Sequence, residues 1–284
     1  MRPLVDVLLR TRSFFAEKGI PSPALEADLV VGHVLGLDRL QLYLAHDRPL
    51  TEAELDTLRV LVARRGKREP LAYVLGRADF HAITVELGPG VLIPRPDTET
   101  VVEALLDAVP ADADPVYVAD VGCGPGTIGL AIATARPGAR IYAVDLSPDA
   151  LRWTRHNVAR LGLGSRVAVL EGDLLDPIPA ARPIDWVVSN PPYVRAGEID
   201  GLMPEVSRFE PRLALDGGVD GLDVYRRLLP AAARRARVGV IVEVGYDQAA
   251  EVAALARAAG LVDVHTRDDL AGIARVVTGL LSSR

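Results

Sequence analysis

Cysteine occurs once in 284 residues, at Cys123, which excludes an internal disulfide framework and predicts a reducing, cytoplasmic setting. Long hydrophobic runs are missing too, and none approaches the roughly 20 residues of a membrane span. The opening Met1-Arg2-Pro3-Leu4-Val5-Asp6 is a short apolar patch broken by an acid, with no small-residue cleavage site. A signal peptide is therefore not expected. Low-complexity segments and fixed-period repeats are absent as well. Basic residues are outnumbered: 32 Lys and Arg stand against 38 Asp and Glu, a net charge of −6. That balance argues against a partner held by its phosphates, so a direct nucleic-acid substrate is not expected. The local exception, Arg64-Arg65-Gly66-Lys67-Arg68, reads as a solvated helix end, where cations favour the dipole.

Several catalytic signatures are also lacking. There is no G-x-S-x-G nucleophile elbow. His33, His46, His81, His156 and His265 are scattered without ligand spacing, so a metal site is not expected. A phosphate-cradling loop would need Gly-Lys-Ser/Thr, and a dinucleotide fingerprint would need glycine at 127, where threonine stands.

Hydrophobic residues make up 49% of the chain and charged ones 25%, the balance of a globular protein. Residues 1–78 read as helices. Ser22-Pro23 is an N-cap followed by proline at the first helical position, with Leu25, Leu29 and Val30 on one face. Thr51-Glu52-Ala53-Glu54 is a capping box, and Leu55, Leu58 and Val62 continue at helical spacing until Gly66. The period then changes. Phe80, Ala82, Thr84 and Glu86 alternate with His81, Ile83, Val85 and Leu87, and Gly88-Pro89-Gly90 supplies a turn. Residues 79–93 are thus predicted as a β-hairpin joining two domains. In the proline-bracketed loop that follows, Asp97 or Thr98 is placed to cap a helix from Val101 to Ala108.

Residues 94–284 read as an α/β domain. Strands are predicted at 116–121, 140–144, 167–170, 184–189 and 238–244, with helices at 127–136, 148–161, 221–236 and 247–259, and two final strands at 262–267 and 273–280. Alternating strands and helices predict a doubly wound sheet with a ligand at its switch point.

Chemistry-bearing residues fall where that topology would place a ligand. Asp120-Val121-Gly122-Cys123-Gly124-Pro125-Gly126 ends the first strand, and its glycines let backbone pass beneath a ligand at a helix N-terminus. Cys123 reads as a small packing residue. Asp145 ends the second strand, where a carboxylate can accept both hydroxyls of a ribose. Ser147 before Pro148 fills the helix cap and leaves Asp145 for the ligand. Asp173, after the third strand, can accept from an adenine amino group, with the Leu174 N–H facing a ring nitrogen. Trp153 and Trp186 read as core.

The sharpest signal is Ser189-Asn190-Pro191-Pro192-Tyr193, after the fourth strand. Two prolines fix φ and remove two donors, so the loop is stiff and its carbonyls serve as acceptors. Asn190 adds a side-chain acceptor. Tyr193 supplies a flat wall that also attracts a cationic sulfonium. Two acceptors beside a flat wall suit an NH₂ group on a planar system. Its nitrogen is a poor nucleophile, and accepting both protons orients its lone pair towards the incoming group. Glutamine, adenine and cytosine all carry such a group.

The sequence resembles the peptide chain release factor glutamine methyltransferases, the HemK family, nearly end to end. Besides the glycine loop and Asn190–Tyr193, the resemblance rests on Arg68-Glu69-Pro70-Leu71-Ala72-Tyr73-Val74-Leu75-Gly76 and on residues 93–99. It rests also on Phe209-Glu210-Pro211-Arg212-Leu213-Ala214-Leu215 with Gly217, Gly218, Gly221 and Leu222, on Glu243-Val244-Gly245 with Gln248, and on residues 269–277. Departures are Asp97 for a usual glutamate, Cys123 and Pro125 where hydroxyl residues are frequent, and Leu174 where an aromatic is common.

The resemblance implies a class I, Rossmann-like methyltransferase domain behind an N-terminal helical bundle. It implies transfer of a methyl group from S-adenosylmethionine to N5 of the glutamine in the Gly-Gly-Gln loop of class 1 release factors, with S-adenosylhomocysteine released. The cofactor would be held by Asp120, Gly122, Cys123, Gly124, Pro125, Gly126, Asp145, Asp173, Leu174 and Asn190. Asn190, Pro191, Pro192 and Tyr193 would hold the glutamine, and the helical domain would dock the release factor. A DNA or RNA adenine-N6 methyltransferase is the alternative; acidic net charge and the lack of a separate recognition domain weigh against it.

Overall fold

The computed structural model describes residues 2–113 and 115–282. Residues 1, 114, 283 and 284, which the expected domain bounds enclose, lie outside the described residues. The chain forms two compact units: one runs to Gly76 and also takes in Met203–Phe209, and the other comprises Arg77–Leu202 and the chain from Glu210 onward.

The first unit is helical. A short strand β1 (Arg2–Pro3) pairs with β2 (Pro49–Leu50), and between and after them lie α1 (Leu4–Glu17), α2 (Pro23–Leu35), α3 (Arg39–Leu44), α4 (Glu52–Gly66) and α5 (Leu71–Leu75). Local chemistry starts these helices. Thr51 and Glu54 form the expected capping box at α4, and Asp38 with Gln41 forms a second one at α3. Ser22 sits at the N-cap of α2 but its side chain makes no cap hydrogen bond, so Pro23 at the first position carries that start. The buried face of α2 also differs from expectation. Ala27, Val30 and Val31 are buried, whereas Leu25 and Leu29 are exposed, because the 27/30/31 spacing is the one that meets Leu4, Phe15 and Leu58 in the core.

The basic run at the end of α4 is solvated only in part: Lys67 is exposed, but its arginines are paired. Arg65 is 2% exposed and lies between Glu26 and Glu205, with Nη1 2.9 Å from Glu205 Oε1. Arg68 reaches the same carboxylate at 2.7 Å, and Arg64 pairs with Glu69 at 2.5 Å. Glu205 belongs to the returning segment, so the sequence around Arg65 gives no hint of it.

The second unit opens with a hairpin, β3 (Arg77–Phe80) and β4 (Ile83–Glu86). Its turn is His81-Ala82, with His81 at φ 50, rather than Gly88-Pro89-Gly90. A two-residue turn pairs Phe80 with Ile83, so Phe80 joins Ile83 and Val85 on the buried face instead of opposing them. Then follow α6 (Glu99–Ala108), β5 (Val116–Val121), α7 (Thr127–Ala135), β6 (Ala139–Asp145), α8 (Pro148–Arg160), β7 (Val167–Glu171) and β8 (Trp186–Ser189). The turn α9 (Pro204–Ser207) lies in the returning segment. The chain closes with α10 (Asp223–Arg235), β9 (Gly239–Glu243), α11 (Ala249–Ala258), β10 (Val262–Asp268) and β11 (Ala274–Leu280).

Seven strands form one sheet in the order β10-β11-β9-β8-β5-β6-β7. The five from β9 to β7 are parallel and β11 is antiparallel to both neighbours, so this is the expected Rossmann-like doubly wound sheet with one antiparallel strand inserted beside its β10 edge. The β5, β8 and β9 strands are buried nearly throughout, as their unbroken apolar runs require. The order of strand addition reverses at β5, with β6 and β7 laid down on one side and β8 on the other. That switch point places the end of β5 beside the end of β8: Val121 pairs with Ser189, whose Oγ donates to the Val121 carbonyl at 2.7 Å. Trp186 is core, but Trp153 is half-buried, stacked by Arg152 at 5.3 Å.

Candidate active site

A cavity of about 240 Å³ opens at the switch point. Its walls include Gly122, Gly124, Asp145, Asp173, Leu174, Asn190, Pro191 and Pro192, so the structure gathers residues from four strand ends. A smaller cleft of about 40 Å³ adjoins it, lined by Arg95, Thr98, Cys123, Pro125 and Asn190 among others. Asn190, Gly122 and Gly124 line both. Asp120, Gly126 and Tyr193 line neither.

The glycine loop is built for backbone proximity. Gly122, Gly124 and Gly126 all have positive φ, at 69°, 57° and 90°, a region costly for other residues. The Gly122 and Cys123 N–H groups both donate to the Val144 carbonyl, at 2.8 and 3.0 Å, locking the loop onto β6. From α8, Thr154 donates to the Gly124 carbonyl at 2.7 Å, and Asn157 donates to the Pro125 carbonyl at 2.9 Å. Asp120 is fully buried, and its Oδ2 accepts the Gly129 N–H at 2.8 Å. It therefore shapes the loop from behind. Burial raises its pKa to about 7, Gly129 draws it down and Asp145 pushes it up. Cys123 is a buried packing residue, its thiol pushed up by burial and by Asp120 and Asp145.

Asp145 faces the cavity with one backbone bond on each oxygen: Gly124 N–H donates to Oδ2 at 2.9 Å and Ser147 N–H to Oδ1 at 2.8 Å. Each carboxylate oxygen keeps a second lone pair, so two hydroxyls can still be accepted. Burial raises the Asp145 pKa, against those backbone donors. Ser147 is the N-cap of α8, accepting from Ala150 N–H at 3.3 Å, so the cap does not consume Asp145. Asp173 pairs with Arg227, which also lines the cavity. Leu174 adopts φ 49, an uncommon conformation for a branched residue and a sign of a tightly determined turn.

The Asn190 turn is held from three sides. Asn190 Nδ2 donates to Thr98 Oγ1 at 3.1 Å. Thr98 thus does not use its side chain to cap α6, as expected of it or Asp97; a 3₁₀ turn at Pro96–Thr98 leads into the helix and frees the hydroxyl. Tyr193 OH donates to Glu243 Oε1 at 3.1 Å, and Gln248 Nε2 donates to the Tyr193 carbonyl at 3.0 Å. The Tyr193 hydroxyl is thereby held at Glu243, and the residue is not among the cavity walls. Burial and the neighbouring carboxylate hold its phenol pKa well above the usual range. Behind the turn, a side chain at Gly217 would come within 2.8 Å of the Pro192 carbonyl, so only glycine fits. Thr98, Glu243 and Arg227 were not read as site residues from sequence. Glu243 at the end of β9 was recoverable from its position at a parallel strand's carboxyl end.

The site can therefore hold a ribose-bearing cofactor beside an amide-sized group at Asn190. Its apolar walls, among them Leu92, Val121, Leu146 and Leu174, fit a flat ring, and Asp145 fits a pair of hydroxyls. Among the described residues there is no group of three or more His, Cys, Asp or Glu able to hold a metal ion, and no helix is long and apolar enough to cross a membrane.

Comparison with known proteins agrees with this architecture. Residues 6–76 match the family model described as the PrmC N-terminal domain, and residues 95–205 match the methyltransferase small domain. The catalytic domain of hMettl16, solved in complex with an RNA hairpin, matches with a TM-score of 0.60 at 16% identity, covering 80% of this chain and 83% of that one. That likeness shows the fold alone. A release factor glutamine methyltransferase of Geobacter sulfurreducens is 44% identical over 275 residues, spanning 96% of this chain and 95% of the relative. One of Caulobacter vibrioides is 40% identical over 279 residues, spanning 98% and 96%. With relatives of that identity matched over nearly the whole chain, the helical unit and the sheet that carries the Asn190 turn included, the chain belongs to the release factor glutamine methyltransferases.

Proposed function

We propose that this enzyme transfers the methyl group of S-adenosylmethionine to N5 of the glutamine in the Gly-Gly-Gln loop of class 1 peptide chain release factors. The observation that carries the reading is the orientation of Asn190. Its Nδ2 is spent on Thr98, which leaves the accepting Oδ1 for a substrate NH₂.

When bound, S-adenosylmethionine supplies an electrophilic methyl group on a sulfonium centre. Asp145 would accept the ribose hydroxyls, the Asp173–Leu174 turn would receive the adenine, and the Gly122–Gly126 loop would hold the cofactor by its backbone. Asn190 Oδ1 and the Pro191 carbonyl accept the two N–H groups of the glutamine amide, aiming the nitrogen lone pair at the methyl group. Orientation and electrostatics supply the acceleration. The extra proton leaves after transfer, so no strong base is needed at the nitrogen. Tyr193 stiffens the turn from behind.

Residues 1–78 dock the release factor in this reading, 79–93 link, and 94–284 carry the chemistry. Arg64, Arg65 and Arg68 are occupied by Glu69, Glu26 and Glu205, which removes the basic run as a phosphate patch and disfavours a DNA or RNA adenine substrate. A cytoplasmic location, where release factors act and where Cys123 stays a thiol, is part of the proposal. Incubation with labelled cofactor and separate release-factor and nucleic-acid acceptors, followed by tandem mass spectrometry, tests it. One methyl group on the Gly-Gly-Gln glutamine is expected. Labelled adenine with unlabelled protein would overturn it.

A further inference from the structure

We infer that Asn157 is a positioning residue for the cofactor, its amide fixing both the glycine loop and the chain that leaves β4 against one face of α8. The inference rests on the reading of the larger cavity as the site of S-adenosylmethionine.

Asn157 is fully buried in α8, and three backbone groups satisfy its amide. Nδ2 donates to the Pro125 carbonyl and to the Glu86 carbonyl, both at 2.9 Å, and Oδ1 accepts the Glu86 N–H at 2.8 Å. A backbone carbonyl only accepts and a backbone N–H only donates. The amide therefore has one orientation, and reversing it would set like ends against each other. One side chain thus joins the end of β4 to the glycine loop.

The contact continues along the helix. Trp153 lies against Gly88, where a side chain would come within 2.9 Å of Cζ2, and Asp149 lies against Gly90, where one would come within 2.9 Å of Cβ. Positions 149, 153 and 157 are spaced by four and share one helix face. Glu86, Gly88 and Gly90 meet them in reverse order, so the chain runs along α8 in the opposite direction, close to it because neither glycine holds it off. It ends at the cavity. Gly90 and Val91 line that cavity, as do Gly122 and Gly124 of the loop and Ala150 of α8. Thr154, also fully buried, donates to the Gly124 carbonyl at 2.7 Å. The glycine loop and the Gly90–Val91 wall therefore share a single support, and residues 79–93 shape the cofactor site as well as linking two domains.

The test measures S-adenosylmethionine binding to the full-length enzyme by calorimetry, with steady-state kinetics on an intact release factor. Asn157→Asp keeps the side chain's shape but sets an oxygen against two carbonyls, whereas Asn157→Ala only removes the amide. The aspartate should weaken cofactor binding by about ten- to a hundredfold, the scale of leaving buried groups unpaired, and by more than the alanine does. KM for the cofactor should rise by more than kcat falls. A role in packing alone predicts the opposite order, because aspartate fills the space and alanine does not. Wild-type affinity in folded Asn157→Asp, or a greater loss in Asn157→Ala, overturns the inference. If Asn157→Asp does not fold, Gly88→Ala decides: it should weaken the cofactor severalfold by pushing the chain off Trp153, and unchanged affinity rejects the shared support. Absence of S-adenosylmethionine binding in the wild type overturns the reading of the cavity instead.

Discussion

Asn190 and Thr98 lie 92 positions apart in sequence and 3.1 Å apart in space, joined by a hydrogen bond in which the asparagine is the donor. The bond spends the donating end of the amide and presents its acceptor, and in this way the loop before α6 sets the chemistry of the turn after β8. Asn190→Ala should lower turnover at least about a hundredfold, the scale of losing one preorganised contact to a reacting group. Cofactor affinity should fall far less. Steady-state kinetics at saturating substrates check this, and turnover within a few-fold of wild type would remove Asn190 from the chemistry.

Asp145 is a separate matter of binding. Its two oxygens accept the Gly124 and Ser147 N–H groups, and the carboxylate lines the cavity. Asp145→Ala should weaken S-adenosylmethionine by about 1–3 kcal/mol, as two hydroxyls lose a charged acceptor. Isothermal calorimetry on the folded variant is the measurement; an unchanged affinity rejects the ribose contact.

Asp120 should leave a mark on stability against pH. Its carboxyl pKa rises from 3.8 to about 7 in the fold, chiefly through burial. The unfolded chain gives up this proton near 3.8 and the folded one keeps it to about 7, so the contribution to stability falls as pH rises through that window. In Asp120→Asn the loss is absent. The stability of the variant relative to wild type should climb from pH 4 to 7 and level off above it. Denaturant melts of the free enzyme at several pH values follow the slope, and a flat difference contradicts the burial argument.

Arg65 holds the returning segment in the helical unit. It is buried between Glu26 and Glu205, and its loss leaves two carboxylates short of a partner. Arg65→Met should cost about 3–5 kcal/mol, the usual penalty for stranding buried charge. A urea midpoint equal to wild type would show that Arg68, 2.7 Å from Glu205, suffices alone.

The docking role of residues 1–78 is checked without cutting the chain. An intact release factor should show a far higher kcat/KM than a short peptide bearing Gly-Gly-Gln, because binding energy away from the glutamine lowers the barrier at it. Equal values on protein and peptide exclude the docking role.

What the sequence by itself determined is local. The Thr51 capping box, the Ser147 cap and the strand at 116–121 lie where the pattern puts them, because each signal is contained within a few consecutive residues. The Asn190-Pro191-Pro192-Tyr193 turn was legible for the same reason: proline stiffness and an amide acceptor are properties of the residues themselves.

Tertiary structure decided what depends on distant partners. Nothing near β11 dictates its antiparallel place between β9 and β10, since strand neighbours are chosen by the packing of whole faces. A two-residue turn moved Phe80 to the other face, and Glu205 returns 140 positions to bury against Arg65. Thr98 reads as a helix cap until the end of β8 brings Asn190 to its hydroxyl. A threonine or a glutamate looks the same in sequence whether it caps a helix, meets solvent or orients an amide. Only the fold supplies the partner, and the low dielectric around a buried pair then makes that partner count.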